Sequence, residues 1–476
     1  MNDGRTYLES LRDAREVWVH GERVKDVTIH PAFAPVCREI ARIYDLQSAP
    51  ETRDTMTYVP ENSANGARVS YSYRMPKTPE DLLRRRRNGE VWARESFGML
   101  GRYPDFCAAM TVGFNDVRAD LEKLDKSFAE NVTSYHRHAA ENDLCLSHGL
   151  HDPAMDKSLR PEQDPDRCLR IVKERDSGFV VRGARMVTMG ALSNEILIAP
   201  TYPLNEREAD HAIWFAIPAA ARGLRQICRA PFAPNHNSFD HPVSTRFDEP
   251  DTLAIFDDVL VPWDRVFLAR QPNAAGQLFR SRVMTWASYA AAVQLLAKLE
   301  LFIGVGHMMA TTCGMADRPN LLAELGELVT YAQVFQSIVR AAEVDCQRTP
   351  GGHMAPGSLI HQRAFIALVS ERIVSILEHI GTSSLIFVPT LEDFQVPELA
   401  PLLDLYGRGK DFSSIDRAKL CRLAWELTGD SFGGRQQLYE RLHSGDPATI
   451  IAAVYQRYDK TNAVDIVKRL LESSGS

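Results

Sequence analysis

A mostly helical α+β protein in three parts is what this sequence predicts, and three observations predict it. The first 140 or so of its 476 residues read as helices and loops; the middle breaks into short runs rich in Val and Ile; after Pro262 apolar residues return at steps of three and four. With 45% apolar residues, a chain of this length can bury more than one core. The expected parts are an N-terminal helical domain at 1–140, a middle β-domain at 141–268 and a C-terminal helical bundle at 269–476.

In chain order, Thr78-Pro79-Glu80-Asp81 supplies an N-cap, a proline for the first helical position and two acids for the helix dipole, so a helix begins there. The run Arg84-Arg85-Arg86-Arg87 on that helix is expected to be a solvated face. Strands are expected at Cys168 to Glu174, Phe179 to Val187, Ile196 to Ala199, Ala212 to Ile217, Leu224 to Arg229 and Leu253 to Val261, with Asp176-Ser177-Gly178 as a hairpin turn. Helices follow through Trp286, Tyr289, Val293, Leu296, Leu299 and Ile303, then through Leu325, Leu328, Phe335, Ile338 and Ala342. Two more are predicted at Leu359 to Ile380 and Ile415 to Leu427. Four helices with apolar faces bury one another most simply as a bundle. Gly433-Gly434 reads as a helix-terminating turn or as part of a site.

A net charge of −7, from 55 basic and 62 acidic residues, gives no footprint for nucleic acid or anionic lipid. No apolar stretch is read as long enough for a membrane span and no signal peptide is recognised, so the expected location is the cytoplasm. The eight cysteines form no CxxC pair and are expected to be reduced and mostly buried. Metal sites are poorly supported: His236 and His241 lie in a loop, Glu371 and His379 lack a matched second pair, and His307 with Cys313 is isolated, so no metal is assigned. Gly304-Val305-Gly306 lies inside a helical pattern and does not follow a strand, which argues against a nicotinamide site.

Two motifs carry chemistry. Gly101-Arg102-Tyr103-Pro104-Asp105-Phe106 offers a permanent positive charge, and Leu146-Ser147-His148-Gly149 offers a group that titrates near neutrality. Together they could converge on one substrate oxygen; taken alone, Arg102 reads first as a helix-end salt bridge. With Tyr7 to Asp13, Val17 to Val24, Phe256 to Trp263 and Phe432 to Glu440, all in the same order, the chain resembles the large component of the two-component, reduced-FAD-dependent 4-hydroxyphenylacetate 3-monooxygenase family. The Phe256 to Pro262 stretch is similar to the wider acyl-CoA dehydrogenase superfamily as well.

The resemblance implies an acyl-CoA dehydrogenase-like fold, a homotetramer, and ortho-hydroxylation of a phenol by O2 through a flavin C4a-hydroperoxide, with reduced FAD delivered by a separate NAD(P)H:flavin reductase. It implies that Arg102 and His148 are catalytic and that Phe106, Pro200 and Thr201 join them in binding substrate, which is either a free phenol or one tethered to a carrier. Flavin would be held by His148, Gly149, Leu150, His151, Met155, Asp156, Lys157, Ser158, Thr188, Ser431, Phe432, Gly433, Gly434 and Arg435. Two positions depart from the family pattern: Phe106 stands where tyrosine is common, removing one hydroxyl from the substrate site, and Ala154 follows Pro153 where glutamine is frequent. The rival readings are a 4-hydroxybutyryl-CoA dehydratase-like enzyme, an acyl-CoA dehydrogenase-like enzyme and a non-catalytic member of the fold. The first needs two neighbouring cysteines for its iron–sulfur cluster, and Cys107 has none before Cys145.

Overall fold

The helix Pro79–Glu95 starts where its cap signals predict. The Thr78 hydroxyl accepts from the Asp81 N–H at 3.2 Å and the Asp81 carboxylate accepts from the Thr78 N–H at 3.2 Å, closing a capping box. The computed structural model describes residues 3–61, 63, 66–101, 104–153, 156, 158–233, 237–443 and 445–473. The arginine run on this helix is not the solvated face predicted for it. Four consecutive helical residues point all round the axis. Arg84 and Arg87 are therefore exposed, whereas Arg85 is buried, donating to the Arg74 carbonyl at 2.9 Å, and Arg86 reaches Glu343 at 2.7 Å.

All six predicted strands are present. They lie in one ten-stranded mixed sheet ordered Val266–Ala269, Ile213–Pro218, Glu195–Ile198, Leu146–His151, Gly178–Thr188, Asp251–Pro262, Leu224–Cys228, Glu16–Val19 and Glu22–Val24, with Arg170–Arg175 also paired to Gly178–Thr188. Residues 16–24 correct the helix-and-loop reading of the N-terminal part. His20 and Gly21 have φ of 53° and 77°, the two positive values that a two-residue hairpin turn requires, and Val17 pairs with Val24 across it. Val17, Val19 and Val24 face inward. This hairpin extends the middle sheet by running parallel to Leu224–Cys228.

The bundle consists of Met284–Thr312, Pro319–Val344, Ile360–Gly381 and Ser414–Thr428, as the periodicity predicts. Met284–Thr312 also packs against Pro79–Glu95 and Asp105–Asp116, so it is enclosed on several sides and apolar all round. The continuous helical stretch Pro272–Thr312 corrects the reading that no segment matches a membrane span in length and composition; 67% of its most apolar window is buried within the protein, which accounts for that composition. Beyond the bundle, Ser431–Leu438 runs into a π-helical turn, Tyr439–His443. Gly433 and Gly434 lie inside this helix instead of ending one. A Cβ on Gly433 would stand 2.7 Å from the Glu426 carbonyl oxygen, so glycine permits the close approach to the preceding helix.

Candidate functional site

His148 sits in the strand Leu146–His151, directly opposite Thr188 on one neighbouring strand and Leu197 on the other. The register shifts between His148 and His151. Side chains alternate along a regular strand, so residues 150 and 151 would face opposite ways; the bulge lets both Leu150 and His151 line the same cavity as His148. Gly149 leaves room here for its neighbours' side chains. A Cβ would lie 2.7 Å from Ile198 Cδ1 and 3.1 Å from Val187 Cγ2.

His148 is 3% exposed and borders two cavities. One, of about 610 Å³, is lined on this side by Phe106, Leu150, His151, Thr201 and Tyr202, and on the bundle side by Met284, Leu295 and Ile366 among others. The Phe106 ring lies 5.3 Å from the His148 ring, centroid to centroid, at 48°. Phe106 is carried by the helix Asp105–Asp116, whose first residue is buried. Burial pushes the Asp105 carboxyl up to about 6, against a hydrogen bond from Gln294 and the charge of Arg85, which favour the ionised form.

The other cavity, of about 950 Å³, opens between the outer face of the sheet and the helix Ser431–Leu438. Its sheet wall is an apolar row: Ile227 pairs with Leu253 and Leu253 with Met186, and all three remain 36–44% exposed. At one end Thr188 Oγ1 lies 2.7 Å from the Tyr439 hydroxyl. Arg435 bridges sheet and helix, donating to both Asp251 oxygens at 2.7 and 3.0 Å and to Glu249 at 2.7 Å, with its guanidinium 4.2 Å over the Tyr439 ring. Arg229 joins from the sheet, 3.0 Å from Asp251 and paired with Asp248. Burial pushes the Asp251 carboxyl up, but the two arginines outweigh it and hold the group below its ordinary range. An apolar wall with a hydroxyl at its end suits a ligand with an aromatic ring system, while the two arginines are matched by the carboxylates of Asp248, Glu249 and Asp251. The volume lies within the roughly 300–1,000 Å³ typical of cofactor sites. The apolar wall and the volume fit a flavin ring system.

The structure therefore brings His148, Thr188, Ser431, Gly434 and Arg435 to the larger cavity and Phe106, His148, Leu150, His151 and Thr201 to the smaller one. Pro200 is buried next to Thr201. Gly149, Phe432 and Gly433 pack into the protein and line neither cavity, while Asp156 and Ser158 are exposed and bonded to each other in a turn. Arg102, Met155 and Lys157, like Ala154 and His236, lie outside the described residues. Among residues not singled out from sequence, Arg229, Asp251 and Tyr439 surround the larger cavity and Tyr202 the smaller. Tyr439 lies within the Phe432 to Glu440 motif, whereas the Arg435–Asp251 contact spans 184 residues and leaves no local signal.

Among the described residues, His241, Glu426 and Asp430 form a close group with metal-ligand types. Glu426 is already committed: it accepts from the Val243 N–H at 2.6 Å, from the Ser244 hydroxyl and from His241 Nδ1 at 3.3 Å, capping the short helix Ser244–Phe247. The group contains no cysteine and does not fit an iron–sulfur cluster.

Comparison with known proteins agrees with this geometry. Residues 3–268 match the family model described as 4-hydroxyphenylacetate 3-hydroxylase N terminal and residues 274–472 match its C-terminal counterpart. The chain is 34% identical to the 4-hydroxyphenylacetate 3-monooxygenase oxygenase component of Thermus thermophilus, over 99% of this chain and 97% of that one. It is 33% identical to the oxygenase component of a Rhodococcus 4-nitrophenol 2-monooxygenase, over 93% of this chain and 86% of that one. A crystal structure of a 4-hydroxyphenylacetate 3-monooxygenase oxygenase component complexed with FAD and 4-hydroxyphenylacetate superposes with a TM-score of 0.94 at 34% identity, covering 100% of this chain and 99% of that one. An archaeal 4-hydroxybutyryl-CoA dehydratase, at 21% identity and a TM-score of 0.89, shares the fold. The acyl-CoA dehydrogenase-like architecture is thus established, and the chain belongs to the 4-hydroxyphenylacetate 3-hydroxylase family.

Proposed function

We propose that this protein is the oxygenase component of a two-component, FAD-dependent aromatic monooxygenase that hydroxylates a phenol ortho to its oxygen. The observation that carries the reading is that His148 borders both cavities, so one side chain stands between a site suited to flavin and a site suited to an aromatic ring. Its relatives named as oxygenase components imply a separate reductase as the source of reduced FAD.

In this reading Ile227, Leu253 and Met186 would hold the flavin ring system beside Thr188, and Arg435 would keep the helix that closes the cavity against the sheet. Bound reduced FAD supplies the activated oxygen. Phe106 packs on the substrate ring, Thr201 closes the substrate side, and His148 hydrogen-bonds the phenolic oxygen or takes its proton near neutral pH. Withdrawing that proton raises electron density at the ortho carbon. Arg102 adds a fixed positive charge toward the same oxygen, a role supported by its Gly-Arg-x-Pro-Asp context. The smaller cavity lies between bundle and sheet, lined on both sides by apolar side chains.

The same reading divides the chain at residues 140 and 268, the second boundary being supported by the break between the matched regions. It assembles the chain as a homotetramer. Supporting this are Val464, Ile466, Val467, Leu470 and Leu471, 46–68% exposed on one C-terminal helix, and Phe387 and Tyr406, which are more than 80% exposed. The reading places the chain in the cytoplasm, where eight cysteines with no CxxC spacing, six of them buried, would stay reduced. The test is turnover of a panel of phenols with chemically reduced FAD and oxygen, the products being weighed by mass spectrometry. One added oxygen atom is the expected result. No oxygenated product from any phenol, or NADH oxidation by the purified chain alone at enzymatic rates, would refute the reading.

A further inference from the structure

Arg185 is 0% exposed, yet it carries a charge in the middle of the strand Gly178–Thr188. Its neighbours Met186 and Thr188 line the flavin-side cavity, so Arg185 itself points to the opposite, interior face. There its Nη1 lies 2.6 Å from the Asp152 carboxylate. Tyr202 faces the same pair; among the described residues its buried hydroxyl, like the three Arg185 nitrogens, makes no well-aligned hydrogen bond, so the Arg185–Asp152 contact is one of charge, and the phenol is held in its neutral form by burial and by the Asp152 charge, against Arg185. Gly149 packs directly on the stem, where a Cβ would lie 3.3 Å from Arg185 Cβ.

The placement of the three residues in the chain is what matters. Asp152 lies between His151, which lines the substrate-side cavity, and Pro153, which lines the flavin-side cavity. Tyr202 and the preceding Thr201 line the substrate side. Arg185 is thus the point where the segments bordering both cavities meet. Such a pair is weak evidence of stabilisation, because replacing a buried ion pair by apolar side chains is often neutral or stabilising. We propose that the buried Arg185–Asp152 pair, with Tyr202 against it, is a positioning element that holds the flavin-side and substrate-side segments in one fixed relation around His148. The inference rests on the two-cavity reading of function given above.

The experiment uses the full chain. In Arg185→Met/Asp152→Ala both charges are removed together, so no unpaired charge remains to unfold the protein. Three quantities are read beside wild type: the thermal midpoint, oxidised FAD affinity from flavin fluorescence quenching, and the ratio of hydroxylated product to hydrogen peroxide with reduced FAD. The midpoint is expected to stay within a few degrees, while FAD affinity and the product-to-peroxide ratio each fall about tenfold, a typical loss for a group that orients others. Tyr202→Phe is expected to raise the phenol KM at unchanged FAD affinity. A double variant with wild-type FAD affinity and wild-type coupling overturns the proposal. Should the double variant not fold, Asp152→Asn keeps the side chain's size but removes the charge that meets Arg185, and unchanged coupling in it overturns the proposal equally. Wild-type protein that makes no product would instead sink the functional reading, and the positioning role with it, before any variant is compared.

Discussion

Phe106→Tyr adds one hydroxyl to a ring that is 4% exposed and 5.3 Å from the His148 ring. Two outcomes compete. A neutral hydrogen bond to the substrate oxygen or to His148 contributes about 1 kcal/mol, which is about fivefold in kcat/KM; a buried hydroxyl left without a partner costs about 1–3 kcal/mol of stability. The cavity beside Phe106 decides between them. At about 610 Å³ it has room for the extra oxygen, and the polar groups facing it include His148 and Thr201. The expected result is therefore a melting temperature within a few degrees of wild type and a gain of about fivefold in kcat/KM for simple 4-hydroxyphenyl acids. The assay measures steady-state product formation with reduced FAD for 4-hydroxyphenylacetate beside a phenol without the acid group, and thermal melting in parallel. An unaltered substrate profile, with stability either kept or lost, would show that position 106 does not face the substrate.

His148→Ala should divert turnover to hydrogen peroxide, with product formation lowered by about 10²-fold; flavin affinity must be measured beside it, because His148 borders both cavities. Arg435→Gln leaves Glu249 and Asp251 without their main partner; it should cost about 3–5 kcal/mol of stability by chemical denaturation and weaken FAD binding, and wild-type values for both would refute the bridging role. Burial, with the charges of Arg85 and His353, pushes the His136 imidazole down to about 4, so the unfolded chain binds the extra proton first as pH falls; that stability, about 3 kcal/mol at most, is present above pH 6.5 and lost as pH falls through 4. Asp105, pushed up to about 6, has the opposite slope over an overlapping range, so His136→Gln should flatten the rise of stability with pH between about 4 and 6.5, and an unchanged acid limb would refute this account.

Where one short stretch of chain sets the outcome, the sequence was sufficient. Thr78 and Asp81 close their box within three residues, and the strands Gly178–Thr188 and Asp251–Pro262 follow from runs of β-branched residues. The hairpin at 16–24 was equally local; its signal, a glycine after His20 between two alternating runs, lay inside a motif used only for resemblance. Gly433 was misjudged because its need for glycine comes from a neighbouring helix backbone and not from its own turn. For the site, residue types were legible but their grouping was not. His148 and Thr188 are forty residues apart and meet only through strand register, which one bulge then redirects so that Leu150 and His151 share a wall. Arg185, Asp152 and Tyr202 gave no signal at all, since an arginine amid valines in a strand reads as solvent-facing until the sheet shows which side is inside. The catalytic residue types belong to short motifs, whereas their relative positions depend on buried long-range pairs. Substitutions at such pairs should therefore alter coupling and cofactor affinity while every motif that identifies the family remains intact.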